Sequence, residues 1–296
     1  MNVAAASRSE ERGSVSKSHS VDVERYYDFI YHWAQITNRF RAFSIAGAYA
    51  IHRGLIEPET GEFSTDTIHR LIERRVGAGT SVRALDAGCG YGGTCIELHK
   101  RMGGSWHGIT ISERQVQVAT RNIKALGVAD SIRISQASFD AALPQAYNLV
   151  YGIESLIHAE APDRTIANLA AALVPGGLFI IVDDMPRPGL PANLAADLRQ
   201  FKALWRCPVM PSVVQWTCHL ANAGCEIEGV VDLTKDMRPR SEPETLAALA
   251  EVEKKRRWRD LVGLKLVSDA QAGGLLLERL TREGAVQYAM IVARKI

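Results

Sequence analysis

A doubly wound α/β fold is what this sequence predicts, with a seven-stranded, mostly parallel sheet whose last strand runs antiparallel. Three observations predict it. A short apolar run, Val82 to Leu85, ends in Asp86, and a loop with Gly88, Gly90, Gly92 and Gly93 leads into a helical pattern from Thr94. Strand, glycine turn and helix N-terminus in succession open a βαβ unit. Beyond it, short apolar runs keep alternating with helical stretches, which implies a parallel, Rossmann-like sheet with right-handed crossovers. Finally, a turn at Glu283-Gly284 precedes an apolar run, Val286 to Arg294, placed to close that sheet.

Composition narrows the function classes. The chain has 296 residues, of which 47% are hydrophobic and 23% charged, the make-up of an ordinary globular protein. A net charge of +2 is too small to argue for nucleic acid or a membrane surface as a partner. No apolar run approaches the roughly 18 residues that a spanning helix needs. The first residues are polar and lack the pattern of a signal peptide. Five cysteines, odd in number and without a CxxC pair, suit a reducing compartment, so a cytoplasmic location is expected.

The chain divides into three parts. Residues 1–20 read as a disordered tail. Residues 21–78 read as a helical N-terminal cap without strands, rich in aromatics: Tyr26, Tyr27, Phe29, Tyr31, Trp33, Phe40, Phe43 and Tyr49. The spacing Phe29, Trp33, Ile36, Phe40, Phe43 fits one helix, Ile45 to Ile56 continues it, and Thr65 to Arg75 forms another. Residues 79–296 form the sheet domain. After Val82–Leu85 come helix Thr94–Met102, strand Ser105–Ile111 and helix Ser112–Leu126, where Ser112 and Gln115 have capping-box spacing. Strands Ile132–Ser135 and Tyr147–Gly152 follow, then helix Asp163–Leu173, stopped by Pro175-Gly176-Gly177. Strand five, Leu178–Val182, ends in Asp183-Asp184. Residues 185–215 carry five prolines and read as an insertion over the strand ends. Within it, helix Leu194–Trp205 sets Phe201 and Trp205 four apart on one face. Helix Val213–Ala223, strand Cys225–Leu233 and a charged helical span, Glu242–Gly274, complete the order.

The glycine turn alone is ambiguous, because Gly88-x-Gly90-x-x-Gly93 also fits a dinucleotide fingerprint. Asp86 tips the balance: a carboxylate at the strand end accepts an ammonium and repels a pyrophosphate. The end of the second strand, Gly108-Ile109-Thr110-Ile111-Ser112-x-x-Gln115, offers neutral groups where a nicotinamide site wants an acid. A third segment, Tyr151-Gly152-Ile153-Glu154-Ser155-Leu156-Ile157-His158-Ala159, lies at the end of strand four, where open α/β sheets bind ligands.

On these three motifs the chain resembles class I S-adenosylmethionine (SAM) methyltransferases. It is most similar to their carbon-methylating branch: sterol side-chain and prenyl-diphosphate C-methyltransferases and cyclopropane fatty-acid synthases. The resemblance implies that Asp86, Gly88, Gly90, Thr110, Gln115, Ser138, Phe139 and Ile153 hold SAM, with S-adenosylhomocysteine released. It implies a catalytic role for Glu154 and His158, joined by Tyr26 and Tyr27 of the cap. Methylating an alkene of an isoprenoid or prenylated small molecule makes a carbocation. Glu154 would stabilise it and remove a proton, its pKa raised by burial, and aromatic faces would help. Phe201, Trp205 and Trp216 are expected to line the substrate pocket. No metal is expected unless the substrate is a diphosphate, which would bring Mg²⁺ and a role for Arg238 and Arg240. The alternative is an O- or N-methyltransferase of a small natural product, with the acceptor's proton going to His158. A SAM-binding protein without catalysis is a third reading. The aromatic N-terminal segment could also dock on a second copy of the chain.

Overall fold

The computed structural model describes residue 19, residues 21–29 and residues 52–296. The cap therefore contributes a helix α1, over residues 21–29, and the segment from residue 52 onward. The aromatics from Tyr31 to Tyr49 lie outside the described residues.

One expectation for the cap fails. Instead of a helix running to Ile56, the chain forms a hairpin of β1 (Leu55–Ile56) and β2 (Phe63–Ser64). Pro58 cannot continue a helix, and Gly61 takes a positive φ of 72° that closes the turn, with Gly61 N–H donating to Glu57 O at 2.8 Å. Helix α2 (Asp66–Val76) follows and buries Ile68, His69 and Ile72. Its Asp66 pairs with Arg101 of the next helix, fixing the cap segment to the sheet domain.

The main sheet has seven strands in the order β5-β4-β3-β6-β7-β9-β8. These are β3 (Arg83–Ala87), β4 (Ser105–Thr110), β5 (Ile132–Gln136), β6 (Tyr147–Ile153), β7 (Leu173–Pro186), β8 (Cys225–Asp232) and β9 (Val286–Lys295). β3 to β7 pair in parallel, and β9 pairs antiparallel with both β7 and β8. The single reversed strand is the last one, as the sequence implied. The order reverses beside β3 and β6, and that switch point is where such sheets bind ligands, at the strand C-termini.

Helices α3 (Gly93–Met102), α4 (Glu113–Ala125), α5 (Pro162–Ala171), α6 (Ala192–Trp205), α7 (Val213–Asn222), α8 (Glu242–Leu261) and α9 (Lys265–Arg282) cover the sheet and its ends. The charged span after β8 is two helices, because Gly263 adopts φ 76° and breaks it. β7 is longer than expected. Pro175-Gly176-Gly177 does not stop α5, which has already ended at Ala171, and lies within β7 instead: Leu173 opposes Tyr147, and Leu178 opposes Leu149 across an irregularity in register.

Strand residues alternate between two apolar layers. One packs Ile96, Trp106, Tyr151 and Ile180; the other packs Leu85, Val150, Phe179 and Trp216. A third cluster joins α6 to α9 through Leu194, Phe201, Leu276 and Leu280. Among the described residues no helix is long and apolar enough to cross a membrane.

Candidate active site

A cavity of about 380 Å³ opens at the switch point, between the C-terminal ends of β3, β4 and β6 and the cap helix α1. Asp86, Gly88 and Gly90 reach it from the glycine turn, Thr110 and Gln115 from the second strand and its helix, and Ser138, Phe139 and Ile153 from the loops beyond β5 and β6. All eight residues expected around SAM therefore border one space.

Local physics places them. Gly88 takes φ +96°, and a Cβ there would lie 2.4 Å from Ser155 Cβ, so only glycine lets β6's loop close over the turn. Ser155 Oγ donates to Ala87 O at 2.6 Å. Gly90 also has positive φ, but a Cβ on it would meet no protein atom within 4 Å, leaving bare backbone against the cavity. Asp86 is buried, and its Oδ2 accepts from Tyr151 Oη at 2.9 Å. Cys95 Sγ donates to the same oxygen from 3.4 Å. Burial pushes the Asp86 carboxyl up to about 7 despite those donors. At β4, Thr110 Oγ1 donates to Gln115 Oε1 at 2.5 Å. The capping box is half formed: Ser112 Oγ accepts from Gln115 N–H, while the Gln115 side chain turns to Thr110. Ser112 Oγ in turn donates to Asp28 Oδ1 at 2.7 Å, tying α1 over the site. A buried acid that gains from a cation, a bare glycine edge and a neutral hydroxyl–amide pair fit SAM's ammonium, methionine chain and ribose.

The expected catalytic residues also meet here, with different chemistry from that expected for one of them. Glu154 sits at the cavity in a left-handed conformation, φ 49°. Arg53 holds it: Arg53 N–H and Nε both donate to Glu154 Oε1 at 3.0 Å, and Tyr288 Oη donates to that oxygen at 2.8 Å. Burial alone would raise its pKa, as expected from sequence. The Arg53 charge, His52, the Arg53 amide and Tyr288 together outweigh burial and hold it below the usual carboxylate range. Glu154 is thus a paired anion, and the expectation of a raised pKa is corrected. The Arg53 guanidinium also grips Asp184 with both terminal nitrogens and lies 4.3 Å over the Tyr288 ring. Arg53, Asp184 and Tyr288 belong to no motif, and sequence reasoning missed them. The one signal was the acid pair ending strand five.

His158 is buried, and burial lowers its pKa to about 4, so it is neutral near pH 7. Its Nδ1 lies 3.1 Å from Arg206 O, an acceptor, which places the ring hydrogen on Nδ1. Nε2 is therefore free to accept, and Tyr27 Oη donates to it at 2.7 Å. Tyr26 packs edge-on to Tyr27 with ring centroids 5.3 Å apart, and Arg206 lies 4.9 Å over the Tyr26 ring.

Of the three pocket aromatics, only Trp205 borders the cavity. Its indole N–H donates to Ala270 O, and its ring presses on Gly273, where a Cβ would clash at 2.2 Å. Phe201 is fully buried between α6 and α9, and Trp216 is fully buried in the core layer beside Leu220. Both are corrections: four-residue spacing identified a face of α6, but that face meets α9 and not a ligand. Arg240 pairs with Glu278 at the surface, 2.6 Å away. No Lys or Arg borders the cavity among the described residues.

The sheet order with its single reversed strand and this acid–glycine–hydroxyl–amide ring define a class I SAM-dependent methyltransferase. A family model described as a methyltransferase domain matches residues 79–236, and the chain belongs to that family. It is 26% identical to the methyltransferase GfsG of Streptomyces halstedii over 85% of this chain and 93% of that one. It is 32% identical to 27-O-demethylrifamycin SV methyltransferase of Amycolatopsis mediterranei over 64% of this chain and 71% of that one. Geranyl diphosphate C-methyltransferase of Streptomyces coelicolor has the same fold, with a TM-score of 0.68 and 20% identity over 94% and 98% of the two chains.

Proposed function

We propose that the chain transfers a methyl group from SAM to a hydroxyl oxygen of an uncharged, largely apolar small molecule. The observation that carries this is the neutral His158, whose Nε2 accepts from Tyr27 Oη at the cavity wall. When bound, SAM supplies the activated methyl group. Asp86 would receive its ammonium, Thr110 and Gln115 its ribose hydroxyls, and Ser138 and Phe139 its adenine.

The protein's own part is then to position a hydroxyl and take its proton. An acceptor oxygen presented to Tyr27 hydrogen-bonds to a phenol already leaning on His158. As the oxygen gains the methyl, its proton becomes far more acidic than an imidazolium. A histidine with pKa about 4 is basic enough to take it, directly or through Tyr27. Apolar walls from Trp205, Tyr26 and Phe139 favour a hydrophobic acceptor. The cavity's ionisable lining includes Glu24, Glu154, Glu160 and Asp184 but no Lys or Arg among the described residues. Among the described residues the cavity thus offers a diphosphate no direct cationic partner, which supports an uncharged acceptor. The 27-O-demethylrifamycin SV methyltransferase relationship supports an oxygen acceptor as well.

Methylation at carbon keeps one observation in its favour. The Tyr26 and Tyr27 rings form an aromatic wall suited to a cationic intermediate. Against it, Glu154 is tied to Arg53 and is a poor proton acceptor. Incubation with ¹³C-methyl-labelled SAM and a panel of neutral polyketide alcohols, phenols, prenylated phenols and prenyl diphosphates separates the two. A labelled methoxy resonance in the product is expected; a label bonded to carbon overturns the oxygen reading.

A further inference from the structure

Besides His158 and His19, His52 borders the cavity. His52 Nε2 faces His69 Nε2 at 2.9 Å, with the rings edge-on at 89°. His52 Nδ1 lies 3.2 Å from Arg53 O, and His69 Nδ1 lies 3.2 Å from Asp66 Oδ1. His69 is buried, whereas the Asp66 side chain is 31% exposed. Asp66 is held by Arg70 and Arg101. A line of hydrogen-bonding side chains thus runs from His52 on the cavity wall through His69 to the partly exposed Asp66.

Counting hydrogens shows what the line is built for. Its three contacts need three protons on imidazole nitrogen: one toward Arg53 O, one between the two Nε2 atoms, one toward Asp66. Two neutral imidazoles carry two. One position is always short, and both terminal contacts are longer than the central one. We infer that His52 and His69 form a proton-holding pair: His52 Nδ1 takes up the proton released in the cavity, the hydrogen between the two Nε2 atoms shifts to His69, and the His69 Nδ1 hydrogen passes to solvent through Asp66. Each transfer to a hydroxyl forms an O–CH₃ bond and breaks the methyl–sulfur and O–H bonds. The sulfonium's positive charge leaves as one proton, so no other co-reactant is needed. His158 is poorly placed to discharge that proton itself, since its ring lies between Tyr27 and Arg206 O. His52 also faces Glu154 and Arg53, and His69 faces Asp66 and Arg101. Burial keeps both imidazoles neutral at rest, leaving the third position open.

The source of the proton rests on the oxygen-methylation reading; the pair itself stands on its geometry, and the test separates the two. The full chain with ¹⁵N-labelled histidine is followed by NMR from pH 7 downward. The expected result is one proton taken up by both imidazoles together, below the ordinary value of about 6.5, with a low-field proton resonance shared by the two Nε2 atoms. Two imidazoles that titrate independently, or that keep fixed neutral tautomers until the protein unfolds, overturn the pair. In parallel, His69→Gln, which does not border the cavity, is expected to lower turnover roughly tenfold with KM for SAM unchanged, less than the contribution of a base that touches the substrate. Asp66→Asn is expected to lower turnover likewise, with the uptake moved to lower pH. Unchanged turnover in folded His69→Gln overturns the passage. A carbon-bound methyl in the product refutes oxygen methylation and the proton's source while the NMR result on the pair still stands.

Discussion

Arg53 and Asp184 meet fork to fork, both terminal nitrogens of the guanidinium on the two carboxylate oxygens. The contact joins the cap segment to the far end of β7, across 131 residues of sequence. Asp184 is 1% exposed, and burial pushes its carboxyl up to about 6 even beside Arg53. Removing the cation strands Asp184 and Glu154 together. Arg53→Met is therefore expected to destabilise the fold by about 3 kcal/mol, within the range for breaking a buried pair. Arg53→Lys recovers only part of this, because an ammonium cannot grip bidentately. Chemical denaturation of the three proteins checks the order.

Glu154 is expected to add no titration to catalysis. With its pKa held below the carboxylate range, it is ionised throughout neutral pH. Glu154→Gln should lower thermal stability, yet leave the shape of the pH–rate profile unchanged between about pH 6 and 8, well above the ordinary Glu value near 4.3. An acid limb that disappears in Glu154→Gln would restore the sequence-based expectation of a raised pKa and a proton-accepting role.

His158 and Tyr27 are expected to affect the methyl transfer and not the cofactor. His158→Ala should cost about 10² to 10⁴ in turnover, the usual contribution of a positioned base. Tyr27→Phe should cost less, since His158 remains. SAM affinity should stay within a few fold in both, measured by calorimetry. A large loss of SAM affinity in His158→Ala would place the histidine in the cofactor site.

SAM affinity should depend on pH through Asp86. Without a cation beside it, burial holds this carboxyl at about 7. An ammonium at Asp86 favours the ionised form, so binding below pH 7 must expel a proton. The dissociation constant should rise as pH falls below 7, approaching tenfold per unit, and level off above it. Calorimetry in buffers of different ionisation enthalpy measures the expelled proton directly. A flat dissociation constant from pH 5 to 7 removes Asp86 as the ammonium's partner.

Two tryptophans give contrasting outcomes. Trp216 is fully buried in the core, so Trp216→Ala should destabilise by about 3 to 5 kcal/mol and leave KM for the acceptor unchanged in whatever folds. Trp205 borders the cavity, so Trp205→Leu should raise that KM and spare SAM binding.

The contrast marks where sequence stops being informative. Asp86, the glycines and the Thr110–Gln115 stretch could be placed because their chemistry is local: a strand end, a turn needing positive φ, a helix start. The sheet order followed from alternation and handedness. Arg53, Asp184 and Tyr288 could not be found this way. They come from three distant elements, and none sits in a pattern that its own neighbours impose. Glu154's pKa was misjudged for the same reason, since burial is visible in an apolar context but an arginine about a hundred residues away is not. The hairpin at Leu55–Ile56 was lost to a helical period that Pro58 interrupts, and Phe201 shows that a helix face read from spacing carries no label for what it meets.

Tyr288 lies near the end of the sequence, yet its hydroxyl completes the ring of donors around Glu154. β9, which carries it, slots between β7 and β8 and follows both in sequence. During synthesis, which runs from the N-terminus, the cap segment emerges before the sheet that it closes on. The glycine turn and its helix α3 are made well before β9 closes the acceptor side. A chain still being made therefore forms its glycine turn before Tyr288 is there to donate to Glu154.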